Sequence, residues 1–349
     1  MSISYRSRRR LQRLGTVALF LLVVGAFAWL SWVIWVERYI VYDDNGANID
    51  FSLSPNIPYG EVAQPPIIGD GPEIHYNEGE NAVNTSTDLA QIVGYYISGD
   101  LLVHDFENVK KKVIDLPTNT PVMIDLKTGF GSFYYSSSLN EAIISQSVSV
   151  PAVDELIQIM NQKNLYLIAR IPSFQDYSYA LDHVSCGIPF TGGGGALWMD
   201  SEGCYWLKPK DSAVVGWLTS IILELRGLGF DEVVLDEFMV PDNPRVVYNS
   251  DATADLAETA ARLVSACTTN SFTVSFNVTS ADFPLPEGRC RMYLKNVPAR
   301  DVELISSKVS FTQPEIRVVF VADSNDTRFD SFGVLRTIDL LDGEEEPEA

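Results

Sequence analysis

The sequence predicts an α/β fold of the (β/α)8 TIM-barrel type, preceded by one N-terminal transmembrane helix. Two observations predict it. From about residue 90 to residue 341, eight short apolar runs alternate with amphipathic stretches, as parallel strands covered by helices do. Before them stands one uncharged apolar run long enough to cross a bilayer. A doubly wound open sheet is the alternative, because the last three runs are weakly separated along the chain.

The N-terminal segment has the pattern of a membrane anchor. Residues 1–13 contain five arginines and no acid, and residues 14–36 form the apolar run, with three tryptophans toward its end. Arginine clusters stay on the cytoplasmic side, and tryptophans favour the membrane interface. We therefore expect a single-pass protein of the cell membrane, bound to the lipid bilayer, with its C-terminal domain extracytoplasmic. The alternative is a cleaved signal peptide with Ala26–Ala28 as the small-residue site, but the apolar run continues past it.

Composition and charge indicate the character of the remaining segments. Residues 37–89 are rich in Asp, Asn, Gly and Pro, which predicts an extracytoplasmic linker, with a structured extension packed on the domain as the alternative. Residues 342–349 form an acidic tail. The formal net charge is −21. The only charged residues among the first 36 are arginines, so the rest of the chain is more negative still. Because such a surface repels phosphates, we exclude nucleic acid as a partner.

The barrel domain, residues 90–341, contains eight predicted strands and at least four predicted helices. The strands come from short apolar runs: Gln91–Ile97, Pro121–Leu126, Leu165–Ile171, Glu232–Phe238, Phe272–Val278, Val302–Phe311, Arg317–Ala322 and Gly333–Leu340. The helices come from apolar residues at helical spacing: Glu107–Leu116, Val150–Lys163, Ser212–Leu228 and Asp251–Thr268.

The chain has four cysteines, which outside the cytoplasm predict disulfide bonds. The pairs that are near in sequence are Cys186 with Cys204 and Cys267 with Cys290. Spacing does not fix the connectivity, and free buried thiols are the alternative. The three histidines are scattered, so we predict neither a metal site nor a cofactor.

Candidate catalytic residues stand where the predicted strands end, since the C-terminal strand ends of a TIM barrel carry its active site. Asp236 follows a fully apolar strand. Its neighbour Glu237 either joins the site after a bulge or faces the helices. Asp125 and Lys127 end the second strand on one face, where they reach one cavity or pair with each other.

Further polar candidates end the third and fifth strands. Arg170 either binds a substrate carboxylate or neutralises Asp125 or Asp236. Asp176 lies in the loop beyond Arg170, and Asn277 ends the fifth strand. The long loop of residues 172–210 is rich in aromatic residues, including Trp198, Trp206, Phe190, Tyr177 and Tyr179. Such a loop offers flat faces on which sugars stack, or it packs on its own rings.

The motifs together resemble the "Putative glycosyl hydrolase domain" family of bacterial surface proteins, a TIM-barrel group related to amylase-type barrels. The matching segments are IVGYYISG (Ile92–Gly99), MIDLKTGFG (Met123–Gly131), ARIPSFQDY (Ala169–Tyr177), GGALWMDSEGCYWLKP (Gly194–Pro209) and GFDEVVLDEFMVP (Gly229–Pro241). The resemblance covers residues 90–340 and is clearest before residue 245. It implies a site at Asp125, Lys127, Arg170, Asp176, Trp198, Asp200 and Asp236, with Asp236 in the place of an amylase-type nucleophile.

The sequence also departs from the family pattern. Glu237 and Met239 replace a tyrosine and an arginine, and Thr128 and Gly129 replace acids. Asn277 occupies the region where an amylase-type acid would end the fifth strand.

Three functions stay open from the sequence. The first is a retaining glycosidase acting on extracellular or cell-wall polysaccharide, with Asp236 as the nucleophile and Glu237, Asp125 or Asp282, in that order, as the acid. The second is a non-catalytic carbohydrate-binding or scaffolding barrel, and the third is a structural partner in a membrane complex. An acidic side chain within ~6 Å of Asp236 distinguishes the first from the second.

Overall fold

The computed structural model describes residues 40–43, 46–49 and 89–344, together with Trp29. The chain divides into two compact units, residues 1–80 and 81–349. In the first unit, strands β1 (Ile40–Asp43) and β2 (Gly46–Ile49) pair antiparallel within the predicted linker. The predicted anchor, apart from Trp29, and the rest of that linker lie outside the described residues. Among the residues that are described, no helix is both long enough and apolar enough to cross a membrane.

The second unit is a closed barrel of eight parallel strands, each paired with the next along the chain and the last with the first. Closure confirms the barrel over the open sheet. The strands after residue 89 are β3 (Val93–Ile97), β4 (Pro121–Asp125), β5 (Ser132–Phe133), β6 (Ile143–Ile144), β7 (Tyr166–Pro172), β8 (Glu232–Asp236), β9 (Thr273–Asn277), β10 (Met292–Lys295), β11 (Val318–Ala322) and β12 (Gly333–Thr337). All of them belong to the barrel except β5 and β6, which pair with each other in the loop after β4.

Helices cover the outside of the barrel unevenly. They are α1 (Gly99–His104), α2 (Phe106–Asp115), α3 (Val150–Gln162), α4 (Tyr177–Asp182), α5 (Ser212–Gly227), α6 (Ala252–Cys267), α7 (Val302–Ser306) and α8 (Pro314–Arg317). The two longest, α5 and α6, each begin after an aspartate whose side chain accepts a hydrogen bond from the first turn, Asp211 and Asp251. After β9 the connections contain only short helices and loops.

The barrel interior is layered, because alternate residues of each strand point inward. An apolar middle layer is formed by Ile92, Met123, Ile168, Val234, Tyr293, Val319 and Leu335. Along β8 the inward positions are Glu232, Val234 and Asp236, so one acid lies on each side of that layer. The interior therefore has a polar layer at each end, and the one at the C-terminal strand ends is the mouth.

One of the predicted strands is wrong. Residues 302–306 form helix α7, and the sixth barrel strand is β10, ten residues earlier. Val302, Ile305 and Val309 have the spacing of a helix face, whereas the true strand is a four-residue run that the pattern did not separate from its surroundings. The other seven predicted strands agree with the structure to within three residues at each end, and the four predicted helices to within one.

The predicted disulfide bonds are also wrong, since all four cysteines are free and buried. The contacts of the thiols differ from one cysteine to the next. The Cys290 thiol donates to the Pro286 carbonyl and accepts from Arg317, both at 3.2 Å. Cys186 lies 3.6 Å from an oxygen of Asp211. Burial raises the pKa of the Cys204 thiol to about 12, as expected for an inert core cysteine.

Candidate active site

Asp236 is the last residue of β8 and lies at the barrel mouth. Its side chain is held on both oxygens: Asn277 donates to Oδ1 at 2.7 Å, and Arg170 donates to Oδ2 at 2.5 Å. Its backbone carbonyl accepts from the amide and the hydroxyl of Ser173, both at 2.7 Å. The residue is only 6% exposed. A buried carboxylate needs such partners, and these contacts hold the Asp236 carboxylate in one orientation.

Arg170 joins Asp236 to a second carboxylate, Asp125 at the end of β4. Its Nη1 lies 2.8 Å from Asp125 Oδ1 and 2.5 Å from the hydroxyl of Tyr96. That hydroxyl and the amide of Gly99 both donate to Asp125 Oδ2. Burial works to lower the pKa of Arg170, but Asp125 and Asp236 raise it overall. Burial, followed by the charge of Asp125, raises the pKa of Tyr96.

Glu237 also lies at the mouth. Of its two predicted placements, beside Asp236 or facing the helices, the structure has the first. Its backbone has a φ of 49°, in the left-handed region that a non-glycine residue seldom adopts, and β8 ends there. The turn brings its carboxylate to Lys295, whose Nζ lies 2.5 Å from Glu237 Oε1 and 3.3 Å from Asp236 Oδ1. Because both oxygens contact one nitrogen, they lie at most about 6 Å apart, within reach of a catalytic carboxylate pair.

Two cavities open beside these residues and share Lys295 as a wall. The first, of about 300 Å³, contains both carboxylates of β8 and is here called the acid cavity. Its polar lining also includes Asn277, Thr279, Ser280, Asn296 and Lys308. The second, of about 480 Å³, is lined by Tyr96, Arg170, Asp323 and Thr337 among others and is here called the arginine cavity. The mouth thus offers separate spaces on the two sides of Lys295.

Two of the predicted substrate-binding residues pair with each other and line neither cavity of the mouth. Lys127 bonds to Asp176 at 2.8 Å, and their side chains are only 1% and 2% exposed. Asp176 also accepts from the amide of Tyr179 at the start of α4 and from the indole of Trp217. Lys127 pairs with Asp176 rather than with Asp125. This ion pair is therefore enclosed by protein and holds the loop that follows β7.

The aromatic loop packs on its own rings and does not present Trp198 and Trp206 to a substrate. These tryptophans are 7% and 3% exposed. Asp200 accepts from the Trp206 indole at 2.7 Å and from Gln175 at 2.8 Å. Burial opposes the ionised form of Asp200, yet its hydrogen bonds lower its pKa overall. The structure therefore gives Asp200 and both tryptophans a place inside the loop.

Tyr96 and Lys295 are site residues that the sequence interpretation missed. Lys295 ends β10, so the strand-end rule would have found it if that strand had been located. Tyr96 is the inward residue before the end of β3 and gave no separate signal. Asp282 is exposed and lines neither of the two cavities at the mouth, whereas Asp323 lines the arginine cavity.

Comparison with known proteins identifies a family. Residues 94–273 match the sequence profile of the family described as "Putative glycosyl hydrolase domain". No curated protein matches the sequence.

Comparison with solved structures gives partial matches. A hypothetical protein from Ruminiclostridium thermocellum ATCC 27405 is 19% identical, with 52% of this chain and 96% of that chain covered and a TM-score of 0.45. A family 36 α-galactosidase from Geobacillus stearothermophilus is 11% identical, with coverages of 72% and 39% and a TM-score of 0.49. A β-N-acetylhexosaminidase from Bacteroides fragilis NCTC 9343 is 10% identical, with coverages of 67% and 51% and a TM-score of 0.45. The chain thus spans about half or less of the length of these two glycosidases.

Proposed function

The chain belongs to the "Putative glycosyl hydrolase domain" family, and we propose that it is a glycoside hydrolase that cleaves O-glycosidic bonds with retention of configuration. One observation carries the proposal: Asp236 and Glu237 line the same cavity at the mouth and both contact Lys295. Their oxygens are at most about 6 Å apart, which fits the separation of about 5–5.5 Å in retaining enzymes better than the 6.5–9.5 Å of inverting ones.

In this proposal Asp236 is the nucleophile. Its carboxylate is held by hydrogen bonds from Arg170 and Asn277. One oxygen attacks the anomeric carbon while the bond to the leaving sugar oxygen breaks, and Glu237 donates a proton to that oxygen. Water then attacks the same carbon, Glu237 takes its proton, and the bond to Asp236 breaks.

Lys295 would have to move for this chemistry to start. Its side chain is 33% exposed and its ammonium bridges the two carboxylates. A sugar oxygen entering between them takes the ammonium's place beside Glu237. Arg170 does not need to move, since it approaches Asp236 from the side of Asp125.

The test is release of reducing sugar from a panel of extracellular and cell-wall polysaccharides by the full-length protein. We expect Asp236→Asn to lower kcat by at least about 1000-fold, because the amide cannot attack the anomeric carbon. The matched control is Glu155→Gln, an exposed carboxylate on α3 that contacts Lys110. If the unmodified protein releases no sugar from the panel, or if Asp236→Asn is as active as the control, the proposed reaction is wrong.

Carbohydrate binding without turnover is the second candidate function. The observation that favours it is the enclosure of Asp236, whose two oxygens are occupied by Arg170, Asn277 and Lys295. Its distinguishing result is glycan binding by both the unmodified protein and Asp236→Asn, with no sugar released by either.

We further propose that the barrel acts outside the cell on polysaccharide, held to the membrane by residues 14–36. The support is the arginine cluster before that apolar run, together with the acidic charge after it. Protease treatment of intact cells tests the orientation. Digestion of the barrel without lysis agrees with it, and protection of the barrel until lysis contradicts it.

A further inference from the structure

We propose that the acid cavity binds a sugar that carries an anionic group, and that Lys308 recognises this group. The inference rests on the proposed function, since it names the class of substrate for the same cavity. Lys308 follows α7, and its backbone amide donates to the Ile305 carbonyl at 3.0 Å. Both residues line the acid cavity, so the end of α7 forms one of its walls.

Among the cations that line the acid cavity, Lys308 has no partner within the described residues. Within residues 89–344 its ammonium makes no ion pair or hydrogen bond. The other two cations of the mouth are neutralised: Arg170 by Asp125 and Asp236, and Lys295 by Asp236 and Glu237. A positive charge therefore remains free on a residue that lines the same cavity as Asp236 and Glu237.

The charge of the rest of the protein makes this lysine informative. The chain has 46 acidic residues against 25 lysines and arginines, so its general surface repels an anionic sugar. A substrate of that kind needs a local cation where it binds. An unpaired lysine at the substrate cavity supplies one, and its charge favours an anionic sugar over a neutral one.

The remaining lining of the cavity suits a sugar ring. Asn277, Asn296, Thr279 and Ser280 offer donors and acceptors for hydroxyl groups. Phe238 and Met239 add apolar surface. With the anomeric carbon at Asp236, the anionic group lies toward Lys308. A 6-carboxylate, as in a uronic acid, and a 6-phosphate share this chemistry.

The experiment compares 4-nitrophenyl glycosides of glucose and galactose, in both anomers, with their 6-carboxylate and 6-phosphate counterparts. The full-length protein is tested alongside Lys308→Gln, Lys308→Arg and the control Lys111→Gln, an exposed lysine on α2. We expect an anionic series to be preferred over its neutral parent, and Lys308→Gln to reduce that preference about three- to fivefold, as for an exposed charge pair. Lys308→Arg restores the preference, and the control Lys111→Gln leaves both the preference and the cleavage of every glycoside unchanged.

The outcomes separate this inference from the proposed function. Cleavage of neutral glycosides with no preference for either anionic series, or a preference that Lys308→Gln leaves intact, overturns the inference while the glycosidase assignment stands. If no glycoside is cleaved, the glycosidase assignment fails on this panel. Calorimetry with methyl glucuronide, glucose 6-phosphate and methyl glucoside then measures whether the protein binds an anionic sugar more tightly than a neutral one. A preference for an anionic sugar that Lys308→Gln removes supports the inference, and equal or undetectable binding overturns it.

Discussion

The barrel contains two arginine-centred polar networks, one at each end of its interior. The base network, at the N-terminal strand ends, consists of Tyr166, Glu232, Ser275, Arg291 and Tyr293. The mouth network, at the C-terminal strand ends, consists of Tyr96, Asp125, Arg170, Asp236, Glu237, Asn277 and Lys295. Both place an arginine against a carboxylate of β8, and both add tyrosine hydroxyls.

The two networks differ in their access to solvent. In the base network, Glu232 accepts from Arg291, Tyr166, Ser275 and Tyr293, and the side chains of the ion pair are 0% and 2% exposed. In the mouth network the charged side chains are 8% to 33% exposed, and two cavities adjoin them. At the base, a cavity of about 510 Å³ is lined by Tyr166 and Arg291 but not by Glu232, whereas at the mouth Asp236 and Glu237 themselves line the acid cavity. The carboxylate of the network is therefore enclosed at one end of the barrel and reached by a cavity at the other.

The largest effect on stability is expected from breaking the base network. Arg291→Met leaves Glu232 buried without its cation, and we expect the free energy of unfolding to fall by about 3 to 5 kcal/mol. Denaturant unfolding monitored by circular dichroism measures this. The double variant Glu232→Leu with Arg291→Met is expected to recover part of the loss, because no unpaired charge remains.

Activity per folded molecule serves as the control for the base network. It is expected to be unchanged in Arg291→Met, since this residue lies on the far side of the apolar middle layer from Asp236. A stability within 1 kcal/mol of the unmodified protein, or a specific loss of activity, would contradict the division between the two networks.

The mouth network is expected to show the opposite behaviour. Glu237→Gln removes the proposed acid and base, and we expect kcat to fall by about 100-fold to 10,000-fold, the range of general acid–base catalysis. Stability is expected to change by no more than about 1 kcal/mol, because Glu237 is partly exposed and its ion pair with Lys295 is solvated. Substrates with a good leaving group are expected to recover part of the rate of bond cleavage. If Glu237→Gln loses the same factor in rate on substrates with good and poor leaving groups, Glu237 is excluded as the acid.

A smaller effect is expected from alkaline pH on the base network. Burial, and next the charge of Glu232, raises the pKa of Tyr166 above its ordinary value near 10. The folded protein therefore keeps a proton that the unfolded chain loses, so the stabilisation is complete below pH 10 and declines as the pH rises beyond it. In Tyr166→Phe we expect this decline to be smaller by about 1.4 kcal/mol in total between pH 9 and pH 11. Unfolding measured between pH 9 and 11 tests the slope, and parallel curves for the two proteins would contradict it.

Tyr96→Phe is the matched variant in the mouth network. Burial and Asp125 raise the pKa of Tyr96 as well, so its effect on the alkaline slope has the same sign. Because Tyr96 bonds to both Asp125 and Arg170, we expect this variant to lower activity too. Tyr166→Phe is expected to lower stability alone.

The sequence predicted the part of the mouth that depends on local pattern. Asp236, Asp125 and Arg170 were found because each ends an apolar strand, and such ends meet at one face of a barrel. Lys295 was missed because β10 is only four residues long, and the sixth strand was predicted instead in the segment that forms α7. Finding it required the spacing of all eight strands, which is a property of the closed sheet.

Other features depend on tertiary structure and leave no local signal. Glutamate gives no indication that it will adopt a positive φ, so the direction of Glu237 was open. The composition of the aromatic loop did not show that Trp198 and Trp206 turn inward to pack around Asp200. The base network was also missed, although Glu232 and Asp236 stand at the two ends of one apolar run and share its inward face.

Trapping of the covalent intermediate tests the central claim most directly. The full-length protein is incubated with a 2-deoxy-2-fluoro analogue of a glycoside that it cleaves, carrying a reactive leaving group, and is then digested for mass spectrometry. The account predicts one added fluoro-sugar on the peptide that contains Asp236, and none on that peptide in Asp236→Asn. Attachment to Asp125 or Glu237 instead, or turnover of the parent glycoside with inversion at the anomeric carbon, would contradict it.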